Sequence, residues 1–147
     1  MSLTASLPAD IEALADSLSA SADELHRRIM RAIRRNPDTA GQAISQAEAQ
    51  ALFDQEVALR QSAHSLYADA AGFASAGLGV PSRELLDLTA RARDRIRRID
   101  RLKELAGIAA TLLGAAAAIV AQRPESLVPA FEKLKAHLAA LDDGSAA

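Results

Sequence analysis

Residues 105–121 read LAGIAATLLGAAAAIVA, seventeen positions without a charge, and they follow directly on the arginine-rich run Arg91–Lys103. A helix that is apolar all round has to be enclosed, either by other helices or by lipid. Seventeen residues is the short end of what crosses a bilayer. Eight of them are alanine and two are glycine, which contribute little to insertion. Arg101, Lys103 and Glu104 stand before the segment and Arg123 after it. The expectation is therefore a central bundle helix, packed closely through Gly107 and Gly114. Conditional exposure of 105–121 to a membrane is the alternative.

The rest of the chain supplies helices to do the enclosing. Its 147 residues correspond to one domain by length, and a domain of that size buries most of its unfolded surface without a covalent staple. With no cysteine, disulfides, thiolate catalysis and zinc–thiolate sites are excluded together. There are 35 alanines, one tyrosine, three phenylalanines and no tryptophan. Over most windows the summed propensity favours helix over strand, and the fold class read from the sequence is all-α. The net charge of −2 gives no global field for a polyanion, so no nucleic-acid partner is expected without a local patch. The start MSLTASLPADIEAL has neither a basic nor an apolar leader segment, and a cytoplasmic location is expected. Fourteen arginines to three lysines, with the alanine excess, suggest a GC-rich bacterial genome.

Four helices can be read, at about 8–35, 39–76, 83–122 and 125–142, within a single domain 1–147. The first carries Pro8 in its opening turn, where the missing N–H costs nothing, and its apolar positions run Ile11, Leu14, Leu18, Ala22, Leu25, Ile29, Ile33. Asp10, Glu12 and Asp16 come early and Arg27, Arg28, Arg31, Arg34 and Arg35 late, the order a helix dipole favours. Leu52, Leu59, Leu66 and Phe73 repeat every seven residues along the second, with Glu56 interrupting the companion row. Leu85, Ala92, Ile99, Ala106, Leu113 and Val120 do the same along the third, where Arg95 is the interruption. The fourth shows Leu127, Phe131, Leu134, Leu138 and Leu141, with Asp142–Asp143–Gly144 read as its stop.

Short connections make consecutive helices antiparallel. The layout expected is an antiparallel, coiled-coil-like bundle with a long central hairpin of the second and third helices. Leu113 lies in its deeply buried four-helix section. The hairpin end projects, leaving Phe73, Leu78 and Val80 exposed as a candidate partner-binding group. The seam Leu59, Leu66, Phe73 against Leu85, Leu88 outruns its cover, which motivates a homo-oligomer. A second candidate surface is basic: Arg27, Arg31, Arg34 and Arg35, with Arg123 expected nearby in space. The arginines of 83–104 are expected to face the acidic second helix.

No catalytic, cofactor or metal constellation is read. The histidines are His26, His64 and His137, with no Glu-x-x-His or His-x-x-x-His spacing. Around His64 the stretch Ala63-His64-Ser65-Leu66 resembles the motif of histidine phosphotransfer domains, four-helix bundles in which an exposed histidine relays phosphate. Tyr67 stands where that family has lysine and Ala68 where it has glycine. The resemblance implies at most a degenerate relay. The function expected is a non-enzymatic protein–protein interaction module (adaptor, chaperone, immunity protein or assembly component). A membrane-active protein and a degenerate phosphotransfer bundle are the alternatives.

Overall fold

The structure, a computed structural model, describes residues 7–34, 44–78 and 80–146. All regular structure among them is helical: α1 Pro8–Arg34, α2 Gln46–Ala68, α3 Ala70–Ala76, α4 Ser82–Arg98, α5 Leu102–Val120 and α6 Pro124–Ala146. Side-chain pairs give the directions. Asp16, Asp23 and His26 of α1 meet Tyr67, Arg60 and Glu56 of α2, so the two are antiparallel. Ser17 meets Thr89 and Arg28 meets Ile99, at offsets of 72 and 71 residues, so α4 runs parallel to α1. α5 begins beside Arg28, Arg31 and Ala32 and ends beside Gly77 and Leu78, which makes it antiparallel to α4. α6 returns along α5, with His137 against Thr111, and its end reaches Arg95 of α4.

The expected antiparallel helical bundle is what forms, with shorter helices in two places. The helix expected at 39–76 starts at Gln46 in the structure, and 39–43 lie outside the described residues. Ser45 closes a capping box with Glu48, each side chain bonding the other's backbone N–H. These bonds from Ser45 hold the Glu48 carboxyl below its ordinary pKa. The same helix is divided at Asp69, whose carboxylate accepts from Gly72 N at 3.2 Å and so caps α3. A Cβ at Gly72 would stand 2.3 Å from that carboxylate, so the cap needs the glycine.

The larger correction concerns 83–122, expected as one helix and divided at Ile99–Arg101. Ile99 and Arg101 are both extended, with ψ of 136° and 129°. No proline or glycine marks the break. It is set by what α5 gains in reversing onto α2 and α6, and tertiary packing of this kind overrides propensity. Ile99 is only 4% exposed and anchors the reversal, while the Arg28 guanidinium donates to its carbonyl. The break also shifts the register. Leu85, Ala92 and Ile99 are buried as the seven-residue row requires, but beyond the turn the buried set is Leu105, Ile108, Leu112 and Ile119. Leu113, expected at the centre of the core, is only partly buried.

At the far end of α5, Gln122 takes a left-handed φ of 55°. Its N–H bonds Ile119 O while Arg123 N bonds Ala118 O, the paired bonds of a Schellman ending. α6 then continues to Ala146, so 142–144 do not stop it. The core these turns enclose is one continuous cluster through all six helices, in which Ile11, Leu18, Leu25, Leu59, Leu66 and Leu112 are fully buried. Each such side chain is worth roughly 1.5–3 kcal/mol.

A basic end as the candidate interaction site

Phe73, Leu78 and Val80 are not an exposed tip. They are 7%, 5% and 7% exposed and belong to the core cluster, with α3 packed on α1. Because 83–122 reverses at Ile99, no hairpin outruns its neighbours. Leu59, Leu66, Leu85 and Leu88 are likewise closed inside a single chain. The apolar seam that motivated a second copy is therefore already covered.

The basic residues are arranged differently from the expectation as well. Arg27, Arg31 and Arg34 are exposed along the last two turns of α1, and Arg35 lies outside the described residues. Arg123 does not join them. It stands at the opposite end, beside Gly77 and Leu78. What joins them is the α4–α5 connection. Because α4 runs parallel to α1, both helices finish their arginine-rich halves at one end, and Arg28 and Arg31 share a crevice with Asp100 and Leu102. On the other side of Asp100 lies a depression of about 290 Å³ lined by Arg95, Arg98 and Arg101, with Glu104 and Leu141.

Several of these cations have local partners. Arg27 hydrogen-bonds Glu24 at 2.7 Å, which raises the guanidinium pKa still further. Arg97 and Arg98 both hold Asp94, Arg98 at 2.9 Å. Arg101 stands 3.9 Å from Glu104. Arg95 differs from the others: its side chain is 12% exposed, donates to Leu141 O at 2.6 Å and approaches Asp142 at 3.5 Å. It ties the end of α6 to α4. The expected pairing of these arginines with the acidic second helix does not occur, since α4 packs on α1, α5 and α6. Residues 91–103 carry seven cations against Asp94 and Asp100, and 27–34 carry four. Glu24, Glu104, Asp142 (which faces both Arg91 and Arg95), and Glu48 and Asp54 at the start of α2 offset only part of this excess.

The other end of the bundle has the opposite sign. Asp10, Glu12 and Asp16 open α1, Glu84 and Asp87 open α4, and Glu125 opens α6, against Arg83 and Arg123.

Among the acids of α2, Glu56 occupies a buried seam position at 7% exposure. His26 Nδ1 lies 2.8 Å from its Oε1, and Arg60 Nε donates to its Oε2 at 2.9 Å while Arg60 also reaches Asp23 at 2.8 Å. A buried carboxylate engaged on both oxygens is a tie between helices, and removing one partner leaves a charge stranded. The sequence signal was present. Glu56 and Arg95 are the two charges that interrupt apolar rows, and both join helices.

The remaining histidines are placed as follows. His137 Nδ1 is 2.8 Å from Thr111 Oγ1, whose hydroxyl donates to Gly107 O. A Cβ at Gly107 would come within 3.3 Å of the His137 ring, so this small residue admits the imidazole between α5 and α6. His64 is exposed on α2, and Tyr67, which stands where phosphotransfer domains have lysine, donates its hydroxyl to Asp16. No group of three potential metal ligands occurs among the described residues. No family model, curated protein or solved structure matches the chain.

Proposed function

We propose that the chain is a non-enzymatic protein–protein interaction module of the bacterial cytoplasm that engages an acidic protein surface through its basic end. What supports this reading is the reversal at Ile99–Arg101: Asp100 lines both the crevice of Arg28 and Arg31 and the depression of Arg95, Arg98 and Arg101, so the arginine-rich ends of α1 and α4 fall at one end of the bundle. Guanidinium forks match carboxylates in pairs. No tyrosine or phenylalanine lies in the runs 27–34 and 91–103, which disfavours stacking on single-stranded nucleic acid. His26 and His137 serve as ties between helices, His26 with Glu56 of α2 and His137 with Thr111 of α5.

A second reading, contact with a membrane, draws on α5, which is long and apolar enough to cross one and is 39% buried over its apolar window. Its large side chains Leu105, Ile108, Leu112 and Ile119 point inward, while Ala110, Gly114 and Ala117 face out. Alanine and glycine offer lipid little, so the first reading is preferred.

The test is titration of a glutamate-rich peptide into the full chain by calorimetry. Binding should weaken severalfold in Arg31→Ala/Arg34→Ala and fade as salt shortens the screening length from about 10 Å to about 3 Å. Binding insensitive to both changes would remove the basic end from the interaction. Preference for duplex DNA or for anionic vesicles over the peptide would replace the reading.

A further inference from the structure

The acidic partner that best fits the basic end is already part of the molecule. α1 is 27 residues long, about 40 Å, and its two ends carry opposite charge. The same polarity repeats in α4, which lies parallel and in step. The acidic end is exposed: Glu12, Asp16, Glu84, Asp87 and Glu125 all face solvent. So is most of the basic end, where the Arg98 and Arg101 side chains are 58% and 82% exposed. The two surfaces lie at opposite poles of one bundle, so no chain can join its own. We infer that the basic end of one copy receives the acidic end of a second, and that the chain associates head to tail. This rests on the reading of the basic end given above, and it names the partner.

The geometry has a consequence for assembly. Contact between unlike surfaces is heterologous, and with the two surfaces at opposite poles it grows as an open row. Complementary fields speed encounter and select orientation more than they tighten binding. The association is therefore weak, concentration-dependent and strongly salt-dependent, its charges screened over about 30 Å at 0.01 M salt and about 3 Å at 1 M.

Sedimentation velocity on the full chain, over a wide concentration range at low and high salt, is the measurement. At low salt the mean mass should climb past that of a dimer with concentration, and at high salt it should fall to the 15.4 kDa of one chain. Two charge-reversed variants isolate the ends: Arg98→Glu/Arg101→Glu at the basic end and Glu12→Lys/Asp87→Lys at the acidic end. Each alone should remain monomeric. Mixed in equal amounts they should associate again and grow as alternating rows, because both ends of the first are then acidic and both ends of the second basic. Circular dichroism confirms that each is folded. If either is not, the neutral pairs Arg98→Gln/Arg101→Gln and Glu12→Gln/Asp87→Asn replace them, with the expectation of weakened growth.

A wild-type mass fixed at one chain under all conditions would overturn head-to-tail association, as would variants that grow like the wild type. If that fixed mass accompanies binding of the glutamate-rich peptide, the interaction reading stands without self-association. If the peptide is not bound either, both fall.

Discussion

Truncating Leu112 and Leu113 separately tests the register shift at Ile99–Arg101. An uninterrupted helix over 83–122 keeps Leu113 in the buried seven-residue row with Leu85, Ala92 and Ile99. The structure instead leaves Leu112 without solvent exposure and Leu113 only partly buried. Leu112→Ala removes buried methyl and methylene groups and opens a cavity between α5 and the helices around it. Such changes cost about 2–5 kcal/mol, the upper part of the range applying where the surroundings cannot relax. Leu113 already meets water in the folded state, so Leu113→Ala forfeits a smaller transfer term and leaves a dent that solvent fills. Its cost should be about 1 kcal/mol. Urea denaturation, read by helical circular dichroism, gives both values directly, and unchanged m-values show that the native and denatured states are comparable. Equal costs, or a larger cost at Leu113, would refute the break and restore a single long helix.

Three further measurements follow from local geometry. Ser21 is fully buried and its hydroxyl has no hydrogen-bond partner in the structure, so Ser21→Ala should stabilise by about 1 kcal/mol. A loss of stability would reveal a partner for the hydroxyl. Gly114 sits mid-helix on the outer face of α5, and a Cβ there meets nothing within 4 Å. Gly114→Ala should accordingly raise stability by roughly 0.5–1 kcal/mol, and a fall would show that this face is covered. Tyr67 is the only tyrosine of a chain without tryptophan, and its hydrogen bond to Asp16, aided by burial, raises its pKa above the ordinary 10.0. The stability this lends is complete below the unfolded pKa and is lost as pH rises through the folded one. Tyrosinate absorbance should therefore appear at higher pH than in the unfolded chain, and Asp16→Asn should bring the titration back toward 10.0. An unchanged curve in that variant would assign the shift elsewhere.

Much of the core was legible because burial on one helix face is a local pattern. Ile11, Leu14, Leu18, Leu25 and Ile29 lie inside as their spacing indicates, and so do Leu52, Leu59 and Leu66. The divisions were not legible. Asp69 is a sound helix cap only once Gly72 gives its carboxylate room, and 99–101 contains no breaker at all. The pattern through 83–122 fits one helix as well as two, and only α2 and α6, offering cover to α5, decide between them. The tip residues were misplaced for the same reason: without the reversal, Phe73, Leu78 and Val80 have nothing to pack on. The arginines of α1 were picked out as a candidate surface, but their neighbours were not. A helix running straight from α4 into α5 would carry Arg123 toward Arg27, whereas the reversal places Arg95–Arg101 there instead.

The charge asymmetry itself has a simple origin in local chemistry. Carboxylates near a helix start and arginines near its end each complement the helix dipole, by about 0.3–1 kcal/mol at exposed positions. α1 and α4 both follow that order independently. In two antiparallel neighbours the two gradients would oppose and the bundle would look neutral at both ends. Here α2 and α3 together make the single descending leg between them, so α4 rises beside α1 and the gradients add. A preference that each helix satisfies for its own stability thus becomes a property of the whole molecule. Reversing the charge order of α4 at its exposed positions alone, with Arg95 kept, would leave its packing residues in place and cancel the asymmetry. Self-association should then vanish while the urea midpoint moves only by the dipole term, a separation that a purely structural role for these arginines would not give.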